Sequence, residues 1–187
     1  MEQLYLCRHG ETEWSLSGQH TSTSDIPLTE KGKAQSAHLK ERLQKVHFEK
    51  VFTSPMQRAS MTCQLVGFEG ILEPDAMEWN YGDYEGITTK VVHQTNPTWN
   101  LFKNGAPGGE TVEQVVARAD RFLQKLAQCK GKVAVFSHGH FLRVLAARYL
   151  GLGGEEAKLF ALSVASISIL GLERKQPVII LWNETGS

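Results

Sequence analysis

Leu4-Tyr5-Leu6-Cys7-Arg8-His9-Gly10-Glu11-Thr12 reads as a short apolar strand that stops abruptly and presents an arginine, a histidine and a glycine at its carboxyl end. An imidazole there can act as a nucleophile, and the guanidinium beside it can hold an anion in front of it. Gly10 lets the backbone turn with no side chain in the way. Alone the tripeptide is a weak signal, so its meaning depends on what the other strand ends supply.

Lys132-Val133-Ala134-Val135-Phe136 is the clearest buried strand, and it runs into Ser137-His138-Gly139-His140 and a helix expected over 141–150, stopped by Gly151. A strand feeding straight into a helix leaves backbone N–H groups free at the helix start, which suits a phosphate. Lys50 to Thr53 is a briefer strand. After it, Ser54 is expected as N-cap and Pro55 as the first helical residue, putting Arg58 about one turn in. Residues 70–74 form a third short strand candidate ahead of an acidic, aromatic segment that carries Glu78. Residues 166–172 and 178–182 are two further strands.

Thr29 caps a helix running to about Lys45, with Ala34, Ala37, Leu39 and Leu43 as its apolar side. Thr111 caps a second, with Val115, Val116, Ala119, Phe122, Leu123 and Leu126 buried. Residues 11–25 read as polar loop. Residues 80–110 read as an irregular cap with one short helix around 88–93, in which aromatics are balanced between core and pocket lining.

Strands alternating with helices predict an α/β three-layer sandwich, a mostly parallel central sheet with helices on both faces, spanning residues 1–187 as one domain. Ligands bind beyond the carboxyl ends of such strands. Arg8 and His9, Arg58, Glu78, and Ser137 with His138 each follow a strand, so all four clusters fall at one edge.

The 187 residues are enough to bury a sizeable core without staples. A formal net charge of zero argues against nucleic acid or an anionic membrane as partner, since both demand clustered excess Lys and Arg. No apolar run approaches the ~18 residues of a membrane span. The three cysteines, Cys7, Cys63 and Cys129, are far apart and show no C-x-x-C spacing, which points to a reducing cytoplasm rather than a disulfide framework. His138-x-His140 lacks a third ligand at suitable spacing, so no metal is expected, and no other cofactor is called for. A homo-oligomer is compatible with the sequence.

Two guanidiniums answer the charge of a phosphoryl dianion with planar forks of donors. A neutral imidazole can take the phosphoryl group and split one difficult displacement into two easier ones. A carboxylic acid is then needed to protonate the leaving alkoxide and later to activate water; Glu78 is the leading candidate, and Glu11 and Glu85 compete with it for the role. Arg143 is expected on a helix face or in an ion pair, and His20 is the remaining histidine most suited to touch substrate.

At these residues the chain resembles the histidine phosphatase superfamily, the phosphoglycerate-mutase-like fold. The resemblance rests on Arg8-His9-Gly10-Glu11-Thr12, Leu28-Thr29 with Gly32 and Gln35, Ser54-Pro55 with Arg58-Ala59, Glu78 with Tyr81-Gly82 and Glu85-Gly86, Gly109-Glu110-Thr111, and Ser137-His138-Gly139. It implies His9 as nucleophile, Glu78 as acid and base, and Arg8, Arg58 and His138 as phosphate ligands, with Gly139 beside them. Where many members have Asn, this chain has the shorter Ser15, so Thr21 and the backbone of Ser22 join it as candidate phosphate contacts. Residues 15–21 and 79–86 look most like the branch of sedoheptulose bisphosphatase and small sugar-phosphate phosphatases. The expected activity is hydrolysis of a small phosphorylated metabolite through a phosphohistidine. A phosphoglycerate-type mutase and a catalytically silent phospho-ligand-binding module are the alternatives.

Overall fold

The structure is a computed structural model and describes residues 1–186. In chain order its elements are β1 (Gln3–Arg8), α1 (Glu13–Ser17), α2 (Glu30–Leu43), β2 (Lys50–Thr53), α3 (Gln57–Val66), β3 (Ile71–Leu72), α4 (Thr89–Thr95), α5 (Leu101–Asn104), α6 (Val112–Leu126), β4 (Lys132–Ser137), α7 (Gly139–Tyr149), β5 (Ile167–Glu173) and β6 (Gln176–Glu184). Among the described residues three short 3₁₀ helices lie between them. The strands form one sheet in the order β3-β2-β4-β1-β5-β6. The first four are mutually parallel, while β5 runs antiparallel to β1 and to β6.

Successive side chains of a strand point to opposite faces, and this sheet uses both. Leu4, Leu6, Val133 and Val135 pack on one side with Val115, Ala119, Phe122 and Leu126 of α6 and with Phe141, Leu142 and Leu145 of α7. Tyr5, Cys7, Ala134 and Phe136 pack on the other with Leu39 and Leu43 of α2 and Cys63 and Val66 of α3. Each fully buried Leu or Phe contributes about 1.5–3 kcal/mol, so β1 and β4, apolar on both faces, belong at the centre. All three thiols are unpaired and buried, and burial pushes Cys63 up to about 12.

Several local readings change. α2 buries Gly32, Ser36, Leu39 and Leu43 and leaves Ala34 and Ala37 exposed. Its face is chosen by Gly32, against which the loop after β1 closes: a Cβ on Gly10 would lie 2.3 Å from the Gly32 oxygen, and one on Gly32 would lie 2.1 Å from the Glu11 oxygen. Gly10 is therefore needed for close approach. α3 starts at Gln57, two residues later than expected: the Ser54 hydroxyl accepts from the Met56 N–H (3.3 Å) and from His138, but Met56 is still extended and is itself the N-cap. The first-turn N–H of Gln57 is capped instead by Asp25 Oδ1 at 2.8 Å. β3 is only two residues long and exposed. Within residues 11–25 there is a one-turn helix, α1, closed by a Thr12–Ser15 capping box and ended by Gly18 in the left-handed region (φ 79°). Residues 80–110 contain α5 besides the expected α4, which Thr88 caps. No helix among the described residues is long and apolar enough to cross a membrane.

Candidate active site

β1 and β4 are adjacent and in register, Arg8 opposite Ser137, so the residues after each strand emerge side by side. The His9 N–H donates to the Ser137 carbonyl (3.1 Å), and the His9 and His138 rings lie edge to face with centroids 5.2 Å apart. His9 Nδ1–H donates to the Gly10 carbonyl at 2.7 Å, which leaves the Nε2 lone pair free. Burial, then Arg8 and Arg58, hold its pKa well below 6.5, so the ring is neutral at pH 7. His138 Nδ1 accepts from Arg58 Nε (3.1 Å), so its Nε2–H donates to Ser54 Oγ (2.8 Å). Burial and the same arginines keep it neutral too.

The two arginines differ. Arg58 is wholly buried in the first turn of α3, and its two Nη groups donate to the carbonyls of Thr21, Ser22 and Ser24 at 3.0–3.2 Å. Arg8 gives Nη1 to the Leu162 carbonyl (2.5 Å), and its buried Nε has no partner among the described residues. Neither pairs with a carboxylate among those residues. A Cβ on Gly139 would come within 3.1–3.2 Å of Arg8 Cζ and Nε, so a glycine there lets the guanidinium pass.

Glu78 reaches the same pocket from the segment after β3. Its Oε1 accepts from the N–H groups of Trp79 (2.9 Å) and Phe141 (2.8 Å), and Oε2 from His140 (3.0 Å). This corrects the reading of the strand-to-helix junction: α7 begins at Gly139 with His138 as N-cap, and its second and third N–H groups bind Glu78 instead of lying open for phosphate.

Two further candidates change. The Ser15 hydroxyl donates to the Thr12 carbonyl (2.9 Å) and accepts from the Thr12 N–H (2.8 Å), so although Ser15 lines the pocket it has no hydrogen left for a phosphate oxygen. Ser22 lies outside the pocket lining, and both its N–H and its hydroxyl are donated to Glu85, at 2.7–3.0 Å. Glu85 also takes the Ser24 N–H, so this carboxylate shapes the loop that embraces Arg58. Thr21 lines the pocket, its hydroxyl turned to the Gln19 carbonyl (3.0 Å).

The pocket has a volume of about 190 Å³, and Arg8, His9, Glu78, Gly139, His140 and Arg143 are among its walls. Arg143, expected on a helix face or in an ion pair, faces the pocket, held by Nε and Nη2 to the carbonyls of Ala157 and Lys158 (both 3.1 Å), with its guanidinium 4.4 Å from the Phe102 centroid. Its spacing is the signal that could have found it: Gly139 and Arg143, four apart, share a helix face. His140 Nδ1 lies 2.5 Å from Tyr81 Oη. Burial raises that phenol well above 10, so it is the donor and the remaining ring hydrogen of His140 sits on Nε2. A neighbouring cavity of about 160 Å³ shares His20, Thr89 and His140 with the first and adds Trp99, Asn100 and Phe102. Trp79 is core, fully buried beneath Phe102.

A family model described as the histidine phosphatase superfamily (branch 1) matches residues 4–185. The chain is 37% identical to an acid phosphatase of Mycobacterium tuberculosis over 98% of its own length and 93% of that protein. It is 34% identical to a sedoheptulose 1,7-bisphosphatase of Saccharomyces cerevisiae over 79% of its length and 67% of that protein. A solved structure of an open reading frame from Mycobacterium tuberculosis superposes with a TM-score of 0.96 at 34% identity, covering 100% of this chain and 99% of that one.

Proposed function

Since the chain belongs to the histidine phosphatase superfamily and is a phosphatase of that type, we propose that it hydrolyses small phosphate monoesters, sugar phosphates and bisphosphates first among them, through a phosphoryl group carried on His9. The observation that carries this reading is the free Nε2 lone pair of a His9 held neutral beside a buried Arg8 whose Nε has no partner.

In the first step His9 Nε2 attacks phosphorus and the ester P–O bond breaks. The leaving alkoxide takes a proton from the carboxyl of Glu78. Oε2, which accepts one N–H against two on Oε1, is the oxygen with room for that proton. In the second step Glu78, now a carboxylate, removes a proton from water, the hydroxide attacks the phosphoryl group, the P–N bond breaks and inorganic phosphate leaves. Arg8 balances the charge on the transferring oxygens. Arg58 orients His138 through Nδ1 and Ser54 takes its Nε2–H, so the His138 ring is fixed edge-on against His9 and backs the nucleophile. The reading needs no metal, because guanidiniums supply the positive charge.

Arg143 supports the bisphosphate preference: it is a second guanidinium facing the pocket beside Arg8, with no carboxylate partner among the described residues. Residues 80–110 act as the cap that shapes the distal end. Three buried, unpaired thiols support a cytoplasmic setting. A panel of phosphorylated metabolites scored by phosphate release tests the reading: bisphosphates should exceed the matching monophosphates in kcat/KM by about tenfold or more, the worth of one charge-assisted hydrogen bond. Isomer interconversion without phosphate release would overturn it.

A further inference from the structure

Arg118 lies in α6, outside the catalytic pocket, and all five of its N–H groups are used. Nε and Nη2 hold the two oxygens of Glu110 at 2.9 and 2.8 Å. Nη1 donates to the carbonyls of Asp75 (2.8 Å) and Met77 (2.7 Å), and Nη2 also reaches the carbonyl of Glu78 (3.3 Å). Glu110 grips the other side of the same segment: its Oε2 accepts the Asn80 N–H (2.8 Å), its own N–H donates to the Asn80 carbonyl (2.9 Å), and its carbonyl accepts Trp79 Nε1 (2.9 Å). The guanidinium also lies 4.5 Å from the ring centroid of Phe141, whose N–H is one of the donors to the Glu78 carboxylate.

Only 11% of the Arg118 side chain and 20% of that of Glu110 are exposed, so this is not a solvent-screened surface pair. The hydrogen bonds to the Glu78 carboxylate all come from backbone N–H groups, of Trp79 on its own segment and of His140 and Phe141 at the start of α7. Its position therefore follows from where residues 75–80 lie relative to α7; Arg118 holds three carbonyls of that segment and lies over Phe141 of α7, while the Ser137 hydroxyl donates to a fourth carbonyl, that of Ala76. A lysine offers three donors on a point charge and cannot span three carbonyls and a bidentate carboxylate.

We propose that Arg118, locked by Glu110, is the positioning residue that sets Glu78 for proton transfer to the leaving group; this rests on the reading of Glu78 as the acid. A displacement near 1 Å is enough to cost a proton-transfer step about a hundredfold. The test compares kcat/KM, which covers the steps through phosphoryl transfer, on p-nitrophenyl phosphate, whose leaving group needs no proton, and on glycerol 2-phosphate, whose alkoxide does. Arg118→Lys should lose at least about ten times more on the glycerol ester than on the aryl ester. Glu110→Gln, which retains an acceptor for Nε, should show the same bias more weakly, and it carries the comparison if Arg118→Lys does not fold. Equal loss on both esters, or no loss on either, overturns the proposal. Glu78→Gln run alongside separates the two ideas: an equal loss in that variant removes Glu78 as the acid, whatever Arg118 does.

Discussion

His9 and His138 follow paired central strands, with their backbones hydrogen-bonded through Ser137, whereas Arg143, His140 and Trp99 reach the same space from a helix face and from residues 80–110. His9 forms the floor of the pocket with the buried His138 ring packed edge-on against it, and both are held by sheet register. The second group forms its rim and is held by side-chain contacts: His140 lies edge-on to Tyr81 and Phe102, and Arg143 lies over Phe102 with its guanidinium on the carbonyls of Ala157 and Lys158. A register cannot shift by a fraction of a residue, but side-chain contacts can. The floor is thus suited to chemistry common to every phosphate ester, and the rim to choosing among them.

That contrast predicts where substitutions act. His9→Ala should lower kcat/KM on every ester by about 10⁴-fold or more while leaving the melting temperature near that of the parent, because it removes a member of a unit that acts together. Arg8→Ala should cost about 10²–10³-fold in kcat, the usual loss of one oxyanion donor, again regardless of the ester.

The floor should also be legible in acid. Below pH 6.5 an unfolded chain protonates its histidines, while His9 and His138 in the fold stay neutral because burial and Arg8 and Arg58 disfavour a further positive charge. Their folded pKa values are depressed, so stability is complete above 6.5 and is lost as pH falls below it, by up to about 1.4 kcal/mol per pH unit for each site. Urea midpoints between pH 7 and 5 would measure this, and His138→Gln should flatten the slope. Catalysis should not follow the same window, since the His9 lone pair survives well below pH 6.5.

On the rim, Arg143→Met should raise KM for a sugar bisphosphate about 10–100-fold while changing kcat little, and should leave the monophosphate almost untouched, as expected when a binding contact alone is lost. A matching loss on monophosphates would erase the division between floor and rim. The smallest effect belongs to Ser15, whose hydroxyl closes the turn of α1. Ser15→Ala should cost about 1 kcal/mol or less of stability, read by thermal melting, with kcat/KM within about twofold.

The same division explains what the sequence revealed. The strands that carry Arg8, His9 and His138 are continuous apolar runs with few alternative readings, and the rule that ligands lie beyond strand ends did the rest. Glu78 was found although β3 has only two residues, because its segment returns to the same sheet edge. The roles of Arg143 and Ser15 are not legible in the sequence, because a single residue type does not reveal what lies opposite: the Ser15 partner is Thr12, and the Arg143 surroundings come from Phe102 and from the carbonyls of residues 157 and 158. The start of α3 is hidden for the same reason, since the cap of Gln57 comes from Asp25, far back in the chain.

The central claim is that the phosphoryl group passes through His9. Rapid quench of the enzyme with a ³²P-labelled phosphomonoester, followed by proteolysis, tests it most directly. The account predicts an acid-labile, alkali-stable label on the peptide containing His9 and none on His9→Ala. Label that persists undiminished on His9→Ala, or that maps to a different peptide, would contradict it.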